Sequence, residues 1–143
     1  MHLDLVTIVV PDYDEAVEFF RDVLGFEVAE DSPSTTNDGR PKRWVVVRPP
    51  GGGTGFLLAR ADGPAQAARV GDQTGGRVTF FLRVDDFPAA YEKLVEAGIE
   101  LVGLVREEPY GNLQVFRDPF GNLWDLLADP SPDGVDLVVV PQP

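Results

Sequence analysis

Two residue types that carry much of enzyme chemistry are almost missing from this chain of 143 residues. It has one histidine, His2, and no cysteine. Thiolate nucleophiles, disulfides and cysteine metal sites are excluded, and no internal imidazole can complete a Ser-His-Asp triad. No serine stands in a nucleophile-elbow setting. Gly51-Gly52-Gly53 is followed by no Lys-Ser or Lys-Thr and opens no helix, so it is no phosphate loop. What remains is a carboxylate in an apolar segment, Asp125 within Leu123-Trp124-Asp125-Leu126-Leu127. On a strand, alternation puts Leu123, Asp125 and Leu127 on one face and Trp124 and Leu126 on the other, which assigns Trp124 to the core.

The chain carries a formal charge of −12, with a pI near 4.3. Such a surface repels phosphate backbones and anionic membranes, so neither nucleic acid nor membrane is an expected partner. It suits a cationic ligand, and it also simply keeps a protein soluble. No apolar run approaches the length of a membrane span. The first residues lack the pattern of a signal peptide, and with no cysteine this predicts a cytoplasmic protein.

The elements that must position Asp125 come as a repeat. Residues 56–59 read Phe-Leu-Leu-Ala and residues 125–128 read Asp-Leu-Leu-Ala. A helical pattern opens at Asp12 and ends at Gly25; another opens at Asp85 or Asp86, with Pro88 in its first turn, and ends at Gly98. Strands are predicted over residues 3–10, 26–30, 44–47 and 56–60, with a loop over 31–42. They are predicted again over 77–84, 99–105, 114–117 and 123–128. Residues 65–70 form at most a turn or two of helix between the halves. The order is β-α-β-β-β twice: one domain over 1–143, with modules at 3–60 and 77–128. A tail over 129–143 follows, whose apolar residues 135–140 suit an edge strand or a loosely held terminus.

Paired β-α-β-β-β modules, Leu24-Gly25-Phe26 after the first helix, and Asp118-Pro119-Phe120-Gly121-Asn122-Leu123-Trp124-Asp125-Leu126 near the end resemble the vicinal oxygen chelate superfamily. That group includes glyoxalase I, bleomycin-resistance proteins, ring-cleaving dioxygenases and methylmalonyl-CoA epimerases. The resemblance covers residues 3–128 and implies an α+β fold, with a cup-shaped mixed sheet made by the two modules, in a homodimer.

It also implies where metal ligands would stand: on the first and fourth strands of each module. Here those positions read Leu5, Phe56, Thr79 and Asp125. One carboxylate cannot hold a catalytic divalent ion, which needs about three protein donors. His2 lies an odd number of residues from Leu5 and so points the other way. No metal and no cofactor are expected, which argues against the metal chemistry of those relatives.

The expected function is metal-independent binding of a small cationic or aromatic molecule in the cup, as in the bleomycin-resistance type. In a cup lined by Leu5, Phe56 and Phe81, burial would raise the Asp125 pKa and make it a counter-ion or a general base. The alternative for Asp125 is a strand carboxylate paired with an arginine. Thr7 and Thr79 share the parity of Leu5 and can donate hydrogen bonds; Trp44 and Tyr110 flank the cup mouth and can stack on a flat ligand, or pack. The alternative functions are a lyase, isomerase or dioxygenase-like enzyme with Asp125 as base, and a regulatory subunit that binds a protein partner. Which of Arg43, Arg48, Arg83 and Arg117 face the cup stays open.

Overall fold

The structure is a computed structural model, and it describes residues 1–130. Residues 135–140 lie outside the described residues. The chain divides into two units, one of residues 1–71 and one that begins at residue 72.

In the first unit, β1 (Leu5–Val10), β2 (Glu27–Thr35), β3 (Pro41–Arg48) and β4 (Gly55–Arg60) form a mixed sheet in the order β1-β4-β3-β2. Helix α1 (Tyr13–Glu18) follows β1. Its N-cap is Asp12, whose side chain accepts from the Glu15 N–H at 2.9 Å. The helix widens into a π-helical turn over Phe19–Val23, where the Leu24 N–H donates to the Phe19 carbonyl at 3.2 Å. Phe19 and Phe20 are consecutive, yet both are buried, and the wider turn accommodates this. Phe20 packs on Phe26 and Phe56 with ring centroids 5.3 and 5.2 Å apart. These rings join Ile8, Val45, Val47 and Leu58 in the core.

The second unit repeats the plan. Strands β5 (Val78–Arg83), β6 (Glu100–Glu108), β7 (Gly111–Arg117) and β8 (Leu123–Ala128) form a sheet ordered β5-β8-β7-β6. A short helix α2 (Gly63–Ala67) precedes it. Helix α3 (Phe87–Glu96) is capped by Asp86, which accepts from the Ala89 N–H at 3.0 Å. Both sheets are parallel between first and fourth strands and antiparallel elsewhere, so the repeated β-α-β-β-β order is a real structural repeat.

One predicted loop is mostly strand. Residues 31–42 were expected to be irregular, but β2 runs to Thr35 and β3 starts at Pro41. Pro33 is tolerated because β2 is an edge strand and need not donate outward. Only residues 36–40 turn, with Gly39 at φ 85°.

Asp118 organises the turn into β8. Its carboxylate accepts from the backbone N–H groups of Phe120 and Asn122, from the Asn122 amide and from the Trp124 indole, each at 2.9 Å. Asp118, Asn122 and Trp124 are all buried. The turn motif therefore locks the indole into the core, and β8 then presents Asp125 on the opposite face.

Candidate functional site

Asp125 sits between Phe81 on β5 and Val115 on β7. Its side chain is only 10 % exposed. The Oδ1 atom is buried and has no hydrogen-bond partner among the described residues. The other oxygen lies 3.8 Å from an Arg106 nitrogen, beyond hydrogen-bond length, and the Arg106 side chain is 55 % exposed. Burial pushes the carboxyl above its ordinary 3.8, and the Arg106 charge only partly opposes this. The group is thus a half-satisfied buried acid.

Arg106 was not legible as its partner. The predicted second strand of that module stops at residue 105, whereas β6 runs to Glu108. Between Val102 and Arg106, β6 carries two residues more than the facing stretch of β7. Gln114, buried, donates to the Gly103 carbonyl at 3.2 Å and the Val115 carbonyl at 2.9 Å across this bulge. Beyond it Arg106 pairs with Leu113, which pairs with Leu127, so Arg106 shares the face of Asp125. The four strand arginines left open by sequence all have carboxylate partners: Arg43 has Asp14 and Asp31, Arg48 has Asp4, Arg83 has Asp129, and Arg117 has Glu100.

The other expected site residues fall in several places. Phe81 is beside Asp125 and 65 % exposed. Thr79 occupies a β-bulge between Val78 and Phe80, and its hydroxyl lies 3.2 Å from that of Thr74 and 3.4 Å from the Arg77 carbonyl. Tyr110 is exposed, in the β6–β7 turn. In the first unit, Leu5 and Thr7 alternate with the buried Ile8 and Val10 and so share the face away from the core, as parity predicts. Leu5 pairs with Gly55, and Trp44 stands on β3 opposite Ser32.

Phe56 requires a correction. Its ring packs on Phe20 and Phe26, on the helix-covered face. The literal match of Phe-Leu-Leu-Ala to Asp-Leu-Leu-Ala is one residue out of structural register. Leu58 and Leu126 are the equivalent core residues, which makes Leu57 the counterpart of Asp125. Leu57 pairs with Thr7 and Val46, as Asp125 pairs with Phe81 and Val115. Hydrophobic identity misled here because Leu57 and Leu58 are interchangeable in sequence but face opposite ways.

The corrected set is Leu5, Leu57, Thr79 and Asp125, and it does not fit a divalent metal. Gly55 offers nothing more: a side chain there would meet the Val47 carbonyl oxygen at 2.7 Å. Among the described residues, no three His, Cys, Asp or Glu side chains group to hold an ion. Among them, too, no helix is long and apolar enough to cross a membrane.

Comparison with known proteins converges on one group. The sequence model of the Glyoxalase/Bleomycin resistance protein/Dioxygenase superfamily matches residues 2–126. An uncharacterized protein of Shewanella frigidimarina is 47% identical over 123 residues, covering 85% of this chain and 89% of its own length. Among solved structures, UcmS2 is 30% identical with a TM-score of 0.71, covering 89% of this chain and 97% of its own. TnmS3, described as an antibiotic binding protein from Streptomyces sp. CB03234, is 28% identical with a TM-score of 0.69, covering 90% and 96%.

Proposed function

Because the chain belongs to the glyoxalase/bleomycin resistance protein/dioxygenase superfamily, we propose that it binds a small organic molecule without a metal. Asp125 is the charged anchor. The observation that carries this reading is the buried Asp125 carboxylate, with one oxygen unpartnered and the other weakly opposed by a solvent-exposed arginine. A buried acceptor left open in the free protein gains a partner when a ligand supplies an N–H or a cationic group. The exposed Phe81 ring beside it offers an apolar contact for the rest of the ligand. The likeness to an antibiotic binding protein supports a binding role.

A general-base role for Asp125 has less support. The raised pKa suits it, but Arg106 stands outside hydrogen-bond distance of the carboxylate and does not orient it. We also propose that the chain forms a homodimer. Leu104, 77 % exposed, is apolar surface that a second copy can cover. Sedimentation equilibrium decides that point, and a monomer contradicts it.

The metal-free reading is tested by calorimetric titration with Zn²⁺, Ni²⁺, Mn²⁺ and Fe²⁺. No stoichiometric binding is expected. One tightly bound equivalent that disappears in Asp125→Ala overturns the reading.

A further inference from the structure

The first unit contains a cavity of about 470 Å³ that the Asp125 reading does not use. It exists because a β-ladder stops early. Strand β3 pairs with β2 along its whole length, from Pro41 to Arg48, but with β4 only through Val45↔Leu58, Val46↔Leu57 and Val47↔Phe56. Continued on that register, the ladder would join Trp44 to Ala59 and then Arg43 to Arg60. Instead the Tyr13 hydroxyl accepts the Arg43 backbone N–H at 3.2 Å. The Tyr13 ring is a wedge: the Arg43 and Arg60 guanidinium carbons lie 5.0 and 5.2 Å from its centroid. Past the wedge the strands part, and residues 40–44, 57–62 and Gln66 line the opening.

The charges of this fork run against the charge of the molecule. Four of the chain's 12 lysines and arginines line it: Arg40, Lys42, Arg43 and Arg60. Two carboxylates line it, Asp38 and Asp62, and Arg40 binds both, at 3.0 and 2.7 Å. Those contacts hold both carboxyls below their ordinary range, Asp38 to about 2. Both are ionised and already paired with Arg40. Arg43 is likewise taken up by Asp14 and Asp31, at 2.9 and 2.7 Å. Lys42 and Arg60 have no ion pair among the described residues. Trp44 stands in the same wall, 36 % exposed, and is an aromatic platform.

We propose that the β3–β4 fork is a binding site for a planar organic anion, such as an aromatic carboxylate. The carboxylate pairs with Lys42, which alternation puts on the Trp44 face of β3, while Arg60, on Tyr13, adds positive charge from the other side of the opening. The arene lies on the Trp44 indole. The volume is in the range of small-ligand sites, about 300–1,000 Å³. Arg40, paired with Asp38 and Asp62, ties the β2–β3 turn to the segment after β4.

The test is titration of the full chain with 2-naphthoate, beside neutral 2-naphthylmethanol and cationic 2-naphthylmethylamine, read by calorimetry and by tryptophan fluorescence. With the amine titrated on Asp125→Asn so that binding at Asp125 does not add to it, naphthoate should bind at least about tenfold more tightly than either analogue, which is what loss of a well-formed charge-assisted contact costs. Lys42→Gln should weaken naphthoate by about tenfold, Arg60→Gln by less, and the two together by more than either. Trp44→Leu should remove the fluorescence response, because Trp124 is buried on Asp118. Asp125→Asn should leave naphthoate binding unchanged, which separates this site from the one proposed above. Equal affinity for the three probes, or no loss in the Lys42→Gln/Arg60→Gln double variant with its fold intact by circular dichroism, overturns the proposal. So does absence of naphthoate binding at millimolar concentration.

Discussion

Asp125→Asn separates charge from shape at the proposed anchor. The Arg106 contact at 3.8 Å contributes about 1 kcal/mol in a water-like dielectric and about 4 kcal/mol at an effective dielectric of 20. With Arg106 more than half exposed, the low end applies. Against it stands the cost of a buried, unpaired polar oxygen, about 1–3 kcal/mol. The amide replacement should therefore leave folding stability at pH 7 unchanged or raise it by up to about 2 kcal/mol. The pH dependence has a definite sign. Burial raises the folded-state carboxyl above 3.8, so the folded chain holds the proton more tightly than the unfolded one. That stabilisation is fully present below the unfolded pKa and is lost as pH rises through the raised folded pKa. The variant should thus gain on the wild type across that window and keep a constant advantage above it. Urea denaturation of both proteins between pH 3.5 and 7.5 measures this. A loss of more than about 1 kcal/mol in the variant at pH 7 would refute the reasoning and make Asp125 a structural partner of Arg106.

Three other substitutions test the scaffold. Asp118→Ala removes an acceptor of four hydrogen bonds and leaves the Trp124 indole N–H buried. It should cost about 3–5 kcal/mol in denaturant titration and alter Trp124 fluorescence. Gly111→Ala places a methyl 1.9 Å from the Ala128 carbonyl oxygen, on backbone at φ 140°. Its melting temperature should fall sharply, with a cost above about 2 kcal/mol, because that neighbour is backbone and cannot turn aside. Tyr13→Phe deletes the acceptor for the Arg43 N–H and should cost about 1 kcal/mol, while keeping the ring between Arg43 and Arg60.

Much of the frame was legible because it rests on local signals. Asp12 and Asp86 cap helices with side chains that can be read directly, and Gly25 and Gly98 end them at φ 76° and 69°. Asp118-Pro119-Phe120-Gly121-Asn122 announces its own turn. The candidate site was less legible, for reasons of register. A strand has period two, so a one-residue error in matching Leu57 and Leu58 sent Phe56 to the wrong face. The bulges at Thr79 and between Val102 and Arg106 leave little trace in composition beyond Gly103, whose φ is 74°. Arg106 came into place only through the second of them. The β3–β4 fork depends on a contact between Tyr13 and Arg43, thirty residues apart, which no spacing rule predicts.

If the chain holds a small organic molecule through Asp125 and not a metal, that molecule should travel with the protein. Native mass spectrometry of wild type and Asp125→Asn, freshly purified from the protein's own source, addresses it most directly. The wild type should carry an organic adduct that the variant loses, with no mass corresponding to a divalent ion on either. A wild-type chain that carries one divalent metal, or an organic adduct equally retained by Asp125→Asn, would contradict it.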